Sequence, residues 1–489
     1  MRAIKGLLLA SAAGMAAVSS AQAADLPVKA KPVEYVKVCS LYGAGFFYVP
    51  GTDTCLKIGM YLRSDHGYGA GGVMAPPGYY LSTANSRFTR TDTNFYTYRA
   101  RINLTTDWRT QTDYGVLRAY AAIIAQQSTG DAASTGVAGI LRAFIQFAGF
   151  TVGHAVSYFD FFNGADYGYA PSIWGASTGV NGTDLVAYTW QLGNGWSISV
   201  DAEDGTGPGR TGRTLNASVA GGFTLAPGIT NSREAAWTPD FAGNIRVDQA
   251  WGSAQLSAAA HNLSGTYYGG AGAPIAAPVT SNGHPGDEWG WAIQGGLRLT
   301  NLFQPRNTFE ISSSYCDGAA AYCTSTPINA PYGSGNTIGL GYAVDGVYVT
   351  GSGVEKTESW VIQAAYQHYW NAQWRTSVVG GYQETNYSAT AASMICGTAA
   401  NSVNQLPGVL TAGSTCDPSF SQTSVSTRTA WNPHPTLEIG LDLIWYHLDT
   451  AHSGSITLAA SGARPAGIYA LDDQDRFLGI LRVQKTVLP

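Results

Sequence analysis

Charge is what this sequence has least of. Lys, Arg, Asp and Glu make up 12% of its 489 residues, against about a quarter in a typical soluble domain. A water-soluble globule of this size needs more surface charge, so the composition suits a chain whose outer surface faces something other than water. Beyond residue 23 there is no run of about 18 apolar residues, which excludes membrane-spanning helices. Linkers are missing too: no charged, Pro-rich or low-complexity stretch divides the chain, and one large domain is the better reading. The formal charge is only −5, which argues against a nucleic-acid partner.

Catalytic and metal-binding signatures are equally absent. There is no GxSxG and no HExxH, and no sequence context singles out a His as a base. The reading is therefore no enzyme, no catalytic residue, no metal and no cofactor. Six cysteines occur as Cys39/Cys55, Cys316/Cys323 and Cys396/Cys416, each pair separated by a short loop containing Gly, Ser or Thr. None has CxxC spacing, so metal binding is a poor fit. In an exported protein, local disulfides are the expected use, although six cysteines formally allow 15 connectivities.

Export is expected from residues 1–23. Arg2 and Lys5 precede an apolar stretch over 7–18 and then Ala21-Gln22-Ala23, with small residues at both positions that a signal peptidase reads. The apolar core is too short to span a bilayer. Cleavage after Ala23 removes the two basic residues, taking the formal charge from −5 to −7.

What is abundant is Gly, at 60 residues, together with aromatics and a period-two alternation. In 358–369, Trp360, Ile362, Ala364 and Tyr366 share one face, with Gln363 and Gln367 on the other. After a turn at 370–372, Trp374, Thr376, Val378, Gly380 and Tyr382 alternate against Arg375, Ser377 and Gln383, which makes an antiparallel hairpin. Asn194-Gly195 marks another tight hairpin turn. The runs predict strands near 55–64, 94–108, 113–125, 139–147, 150–158, 184–191, 196–203, 240–250, 253–263, 288–300, 307–316, 358–369, 373–387, 424–432, 436–449 and 474–486.

Sixteen strands with alternately short and long connections form the pattern of an all-β, 16-stranded antiparallel transmembrane barrel with short periplasmic turns and long extracellular loops. Trp108, Trp196, Trp251, Trp289, Trp360, Trp374 and Trp445, near strand ends, are candidates for its interfacial girdles. A β-sandwich would also alternate, but too many Arg, Gln, Asp and Glu occupy mid-strand positions for a dry core.

The block ADLPVKAKPVEYVKVCSLYGAGFFYVPGTDTCLKIGMYLR at 24–63 resembles the mature start of the alphaproteobacterial general porins. So do FIQFAGFTVG at 144–153 followed by SYFDFF, and the closing FLGILRVQKT at 477–486. The resemblance implies a homotrimeric 16-stranded porin whose third long loop folds into the pore. It also implies a passive, water-filled channel for small hydrophilic solutes and ions, in contact with outer-membrane lipids and lipopolysaccharide. On this reading 1–23 is the cleaved signal, 24–54 a periplasmic segment with disulfide-forming cysteines, and 55–489 the barrel. One departure is the ending Val487-Leu488-Pro489, where such porins generally carry an aromatic residue used in assembly.

Face assignment then supplies a candidate site. With Leu56, Ile58, Met60 and Leu62 outward, Lys57, Tyr61 and Arg63 point into the lumen. The same test turns Arg99, Arg101, Arg118, Arg142 and Arg482 inward, giving seven basic side chains from strands one to four and sixteen. Each buried on a lipid face would cost about 2–4 kcal/mol, which disfavours the outward alternative. Opposite them the third long loop is expected to present Asp160 and Asp166, with Asp184 at its exit, so that a transverse field crosses the narrowest point. His154 falls on the outward parity and is read as structural. The rival functions are a substrate-specific channel, for example for sugars, with Tyr158, Phe159, Tyr167 and Tyr169 as an aromatic track, and, from another class, an outer-membrane barrel enzyme.

Overall fold

A computed structural model describes residues 38–69, 96–129, 137–162, 164–169, 178, 182–207, 210–223, 231–235, 237–269, 282–324, 332–460 and 464–488. The expected signal sequence, residues 24–37 of the N-terminal segment and Pro489 lie outside the described residues.

Sixteen long strands close into one antiparallel barrel. They are β1 Cys55–Tyr68, β2 Tyr96–Thr112, β3 Gly115–Ser128, β4 Val137–Phe147, β5 Phe150–Ala155, β6 Thr183–Gly193, β7 Trp196–Glu203 and β8 Asp240–Gln249. These are followed by β9 Gly252–Leu263, β10 Glu288–Thr300, β11 Thr308–Asp317, β12 Glu355–Tyr369, β13 Trp374–Tyr387, β14 Phe420–His434, β15 Leu437–Asp449 and β16 Gln474–Leu488. Consecutive strands pair, and β16 returns to β1 through pairs such as Arg63↔Gln484 and Tyr68↔Gly479. Closure removes the free edges, so each wall strand has a hydrogen-bonding neighbour on either side, the condition for strands in hydrocarbon.

The alternation read from the sequence is the alternation of the wall. In β12, Val361, Gln363 and Ala365 are buried inside while Ile362 is exposed outside. Trp108, Trp196, Trp251, Trp374 and Trp431 stand exposed near the turn end of the wall, and Trp289 and Trp291 near its loop end, as interfacial girdles require. Tight turns join the strands at one end. At 194–195, Asn194 (φ 50°) and Gly195 (φ 77°) occupy the left-handed conformations that a two-residue hairpin needs.

Several boundaries differ from the expectation by a few residues, and two of them matter for the lumen. β1 continues four residues past 64, which brings Asp65 into the wall. β5 stops at Ala155 rather than 158, because the chain bends inward there: Tyr158 donates its N–H to Asp201 of β7 and accepts at its carbonyl from Asn244 of β8.

At the loop end the connections pack on one another. Leu215, Phe223, Ile338, Tyr342, Val347, Ile395, Ile456 and Tyr469 form one apolar cluster with the inward-facing Ile444, Tyr446 and Leu448 of β15 and Leu478 and Ile480 of β16. A small second sheet of 332–334, 337–339, 467–471, 454–458 and 409–410 covers it. The helix α1, Ala389–Ile395, is capped by Ser388, whose hydroxyl accepts from the Ala391 N–H at 3.1 Å. Disulfides join Cys39 to Cys55, Cys316 to Cys323 and Cys396 to Cys416.

Candidate functional site in the lumen

The basic residues singled out by parity sit together on the inner face of β1–β4 and β16. The Arg63 Nε donates to Gln484 at 2.8 Å, and the Arg101 Nε donates to Gln126 at 2.8 Å. Arg99 and Arg482 both grip Asp65, through salt bridges of 2.7 and 2.5 Å, and the carboxylate between them is fully buried. Arg118 and Arg109 share Asp107 at 3.0 and 2.8 Å in the same way. Lys57 lies beneath the N-terminal segment, its Cε 3.2 Å from where a Cβ at Gly45 would stand. A register shift opposite Ala122/Ile123 re-aims β4, so that Arg142 lines an inner cavity with Tyr120, Gln146 and Asp160 while Ile140 faces out.

Asp65, Asp107 and Arg109 were missed as wall residues, although parity could have found them. Asp107 alternates in phase with Arg99 and Arg101, and Asp65 with Arg63. Each carboxylate holds two guanidinium groups in fixed positions, which an aqueous surface arginine would not have. The wall is therefore basic in balance and internally braced.

In the connection over 156–182, the described residues 158–162 and 164–169 follow the remaining wall inside the barrel. Gln255 of β9 donates to the Asp160 carbonyl at 3.0 Å. Phe161 lies against β10 at Gly296, where a Cβ would come within 2.2 Å of its ring. The Tyr167 hydroxyl donates to Glu310 of β11 at 2.7 Å, and its carbonyl accepts from Ser377 of β13. Arg428 of β14 donates to the Asp166 carbonyl at 2.7 Å. Tyr169 donates its N–H to Asp442 and its hydroxyl to Glu438, both on β15, at 2.6 and 2.8 Å. Between residues 158 and 169 the loop touches the wall from β7 round to β15.

The three expected acidic residues take different places. Asp160 borders the inner cavity of Arg142 and Gln146, but its side chain is only 4% exposed, accepting from the N–H and hydroxyl of Thr178 and from Arg210. Asp166 borders an inner cavity of about 660 Å³ with Arg306, Gln367, Arg375 and Arg428, and burial raises its carboxyl above the usual range. Asp184 is a correction: it belongs to β6, and it shares the parity of the exposed Val186, so it faces outward and pairs with His154 at 2.7 Å. The loop is thus a donor of N–H and hydroxyl groups to carboxylates of the wall, more than a carrier of acidic charge. The expected aromatic track is also lost as a continuous surface, because Phe159 and Tyr167 are buried under the loop.

One grouping escaped sequence spacing because it joins β15 to the connection that precedes β16. His447, Asp449 and Asp473 bring donor atoms within 4.8 Å of one another at the loop end. Both imidazole nitrogens already meet carboxylates, Asp475 at 3.0 Å and Asp449 at 3.2 Å, which describes a partly exposed ion-pair cluster.

A closed wall with an apolar outside, a polar inside and a loop laid across the lumen defines a β-barrel channel of the bacterial outer membrane. The chain belongs to the porin subfamily, whose family model matches residues 25–480. It is 29% identical over 346 residues to porin Omp2b of Brucella neotomae, covering 64% of this chain and 85% of that one. Against porin Omp2b of Brucella suis it is 32% identical over 263 residues, or 51% of this chain, and spans 64% of that relative's length. Among solved structures, the outer-membrane channel DcaP of Acinetobacter baumannii shares the fold, with a TM-score of 0.55 at 15% identity over 90% of this chain and 99% of that one.

Proposed function

We propose that this porin is a passive, water-filled diffusion channel for small hydrophilic solutes and ions, working as a homotrimer set in outer-membrane lipid and lipopolysaccharide. The observation that carries this is the division of the lumen: residues 158–169 of the third long loop touch the wall from β7 to β15, while the basic side chains of β1–β4 stand across from it. Solutes pass along that basic side, where Arg63, Arg99, Arg101 and Arg118 are pre-positioned by Gln484, Asp65, Gln126 and Asp107. A hydrated solute exchanges water for these donors at little cost, whereas an apolar one gains nothing from them. Lys57, Arg142 and Arg482 extend the same basic lining, Asp166 contributes an acidic group near the turn end, and the three disulfides hold the connections. The signal sequence is removed after Ala23.

Planar-bilayer recording tests this directly. The expected result is ohmic single-channel steps in triplets, without saturation by simple sugars or salts. No conductance from correctly folded protein would overturn the channel, and block by micromolar concentrations of one solute would make it substrate-specific.

A further inference from the structure

The geometry points to Arg210 as a latch by which the fourth long connection holds the pore loop in place, so that the width of the channel is set from its outer loops. The inference rests on the channel reading above. Arg210 lies in the connection over 204–239, is fully buried, and heads the large side chains so enclosed among the described residues. Its Nε donates to Glu203 of β7 at 3.1 Å, one terminal nitrogen donates to the carbonyl of Ala321 at 3.2 Å, and the other pairs with Asp160 of the pore loop. The guanidinium stacks 4.3 Å from the ring centroid of Tyr322, whose hydroxyl donates to the same Glu203 at 2.6 Å.

Three connections therefore meet on one cation. Ala321 and Tyr322 come from the turn closed by Cys316–Cys323, which fixes the carbonyl and the ring that Arg210 uses. Asp160 in turn binds Thr178, so it ties the two feet of the pore loop to each other as well as to Arg210. Remove the guanidinium, and two buried carboxylates remain without their cation. Glu203 is held by the ladder of β7 and cannot leave, whereas Asp160 sits on a loop and can reach water by swinging into the lumen. The relaxation goes to the pore loop, which makes Arg210 a positioning residue for conduction.

The test compares wild type, Arg210→Lys, Arg210→Met and Asp160→Ala as purified, heat-stability-checked protein in planar bilayers. Arg210→Met and Asp160→Ala are each expected to change single-channel conductance by roughly 1.5-fold with added open-state noise, because a loop freed of its anchor samples more positions. Arg210→Lys, which keeps a cation, should recover most of the quiet wild-type signal, and the Arg210→Met, Asp160→Ala double variant should match either single one. A folded Arg210→Met channel with wild-type conductance and noise overturns the latch, as do increments that add independently in the double variant. Where Arg210→Met does not assemble, wild-type behaviour of Asp160→Ala overturns it equally. Wild-type conductance in the same bilayers separates this outcome from failure of the channel itself.

Discussion

The guanidinium of Arg482 lies 4.0 Å from the centroid of the Tyr169 ring, joining the last strand of the barrel to the far part of the pore loop. A cation over an aromatic face at this distance contributes about 0.5–2 kcal/mol. The hydrogen bonds of Tyr169 to Glu438 and Asp442 add to it, so this residue fixes the loop on the wall at β15 and β16.

Gly440 makes that contact possible, since a Cβ there would stand 2.0 Å from the Tyr169 hydroxyl. Gly440→Ala should therefore push the loop off β15 and into the lumen. Overpacking of this kind costs about 1–3 kcal/mol, absorbed by the loop because β15 is hydrogen-bonded on both sides. Single-channel conductance is expected to fall with heat stability of the barrel unchanged; an unaltered conductance would mean that Tyr169 does not define the loop's position.

Asp65 and Arg99 should act on selectivity with opposite signs. Asp65→Asn removes the one negative charge between Arg99 and Arg482 and leaves their cations facing each other. Arg99→Ala leaves Asp65 with Arg482 alone. Reversal potentials in a salt gradient should move toward anions in the first variant and toward cations in the second, each by about two-fold in permeability ratio, and more at low ionic strength. Shifts of the same sign would show that neither residue faces the solute path.

The barrel was readable because a wall with one wet and one dry face writes its period into every strand, and the expected strands lie within a few residues of β1–β16. Arg63, Arg99, Arg101 and Arg118 follow from the same parity. Asp160 did not, since its burial depends on Arg210, fifty positions further along and in a connection with no period. Nor did the apolar cap, where Phe223 stacks on Tyr342 at 4.2 Å: contacts between long loops leave no repeating trace. Asp184 misled because its position beside the loop is a fact of sequence, while its outward direction is a fact of strand pairing with β5.

Shortening the loop between positions 161 and 169 should leave the barrel able to fold, because the strand ladder is complete without it and the loop's anchors are side-chain contacts to an existing wall. Conductance should rise by about two-fold, with weaker discrimination by solute size. Liposome swelling with sugars of increasing mass measures the second effect. A variant that folds yet keeps the wild-type cut-off would place the narrowest point in the outer loops instead.

His452 gives the cap a dependence on acid. Residues 451–453 stitch three connections together: Ala451 donates to the Leu340 carbonyl at 2.7 Å, His452 to that of Asp417 at 2.7 Å and Ser453 to that of Thr415 at 3.0 Å. The imidazole is buried at 5% exposure, and neither nitrogen has a hydrogen-bond partner among the described residues. Burial pushes it down to about 4 from 6.5, against the weaker pull of the Asp417 carboxylate. Above pH 6.5 the ring is neutral whether the cap is formed or open, so it carries no penalty. As pH falls from 6.5 toward 4 the opened form binds a proton and the packed form does not, so cap stability declines by up to about 3 kcal/mol. Amide protection factors at 338–340, 415–417 and 451–453, that is, exchange corrected for its intrinsic pH dependence, should fall between about pH 7 and pH 5 in wild type, and His452→Phe should flatten that response. An equal fall in protection in the Phe variant would assign the acid sensitivity to another group, such as the partly exposed His447 cluster.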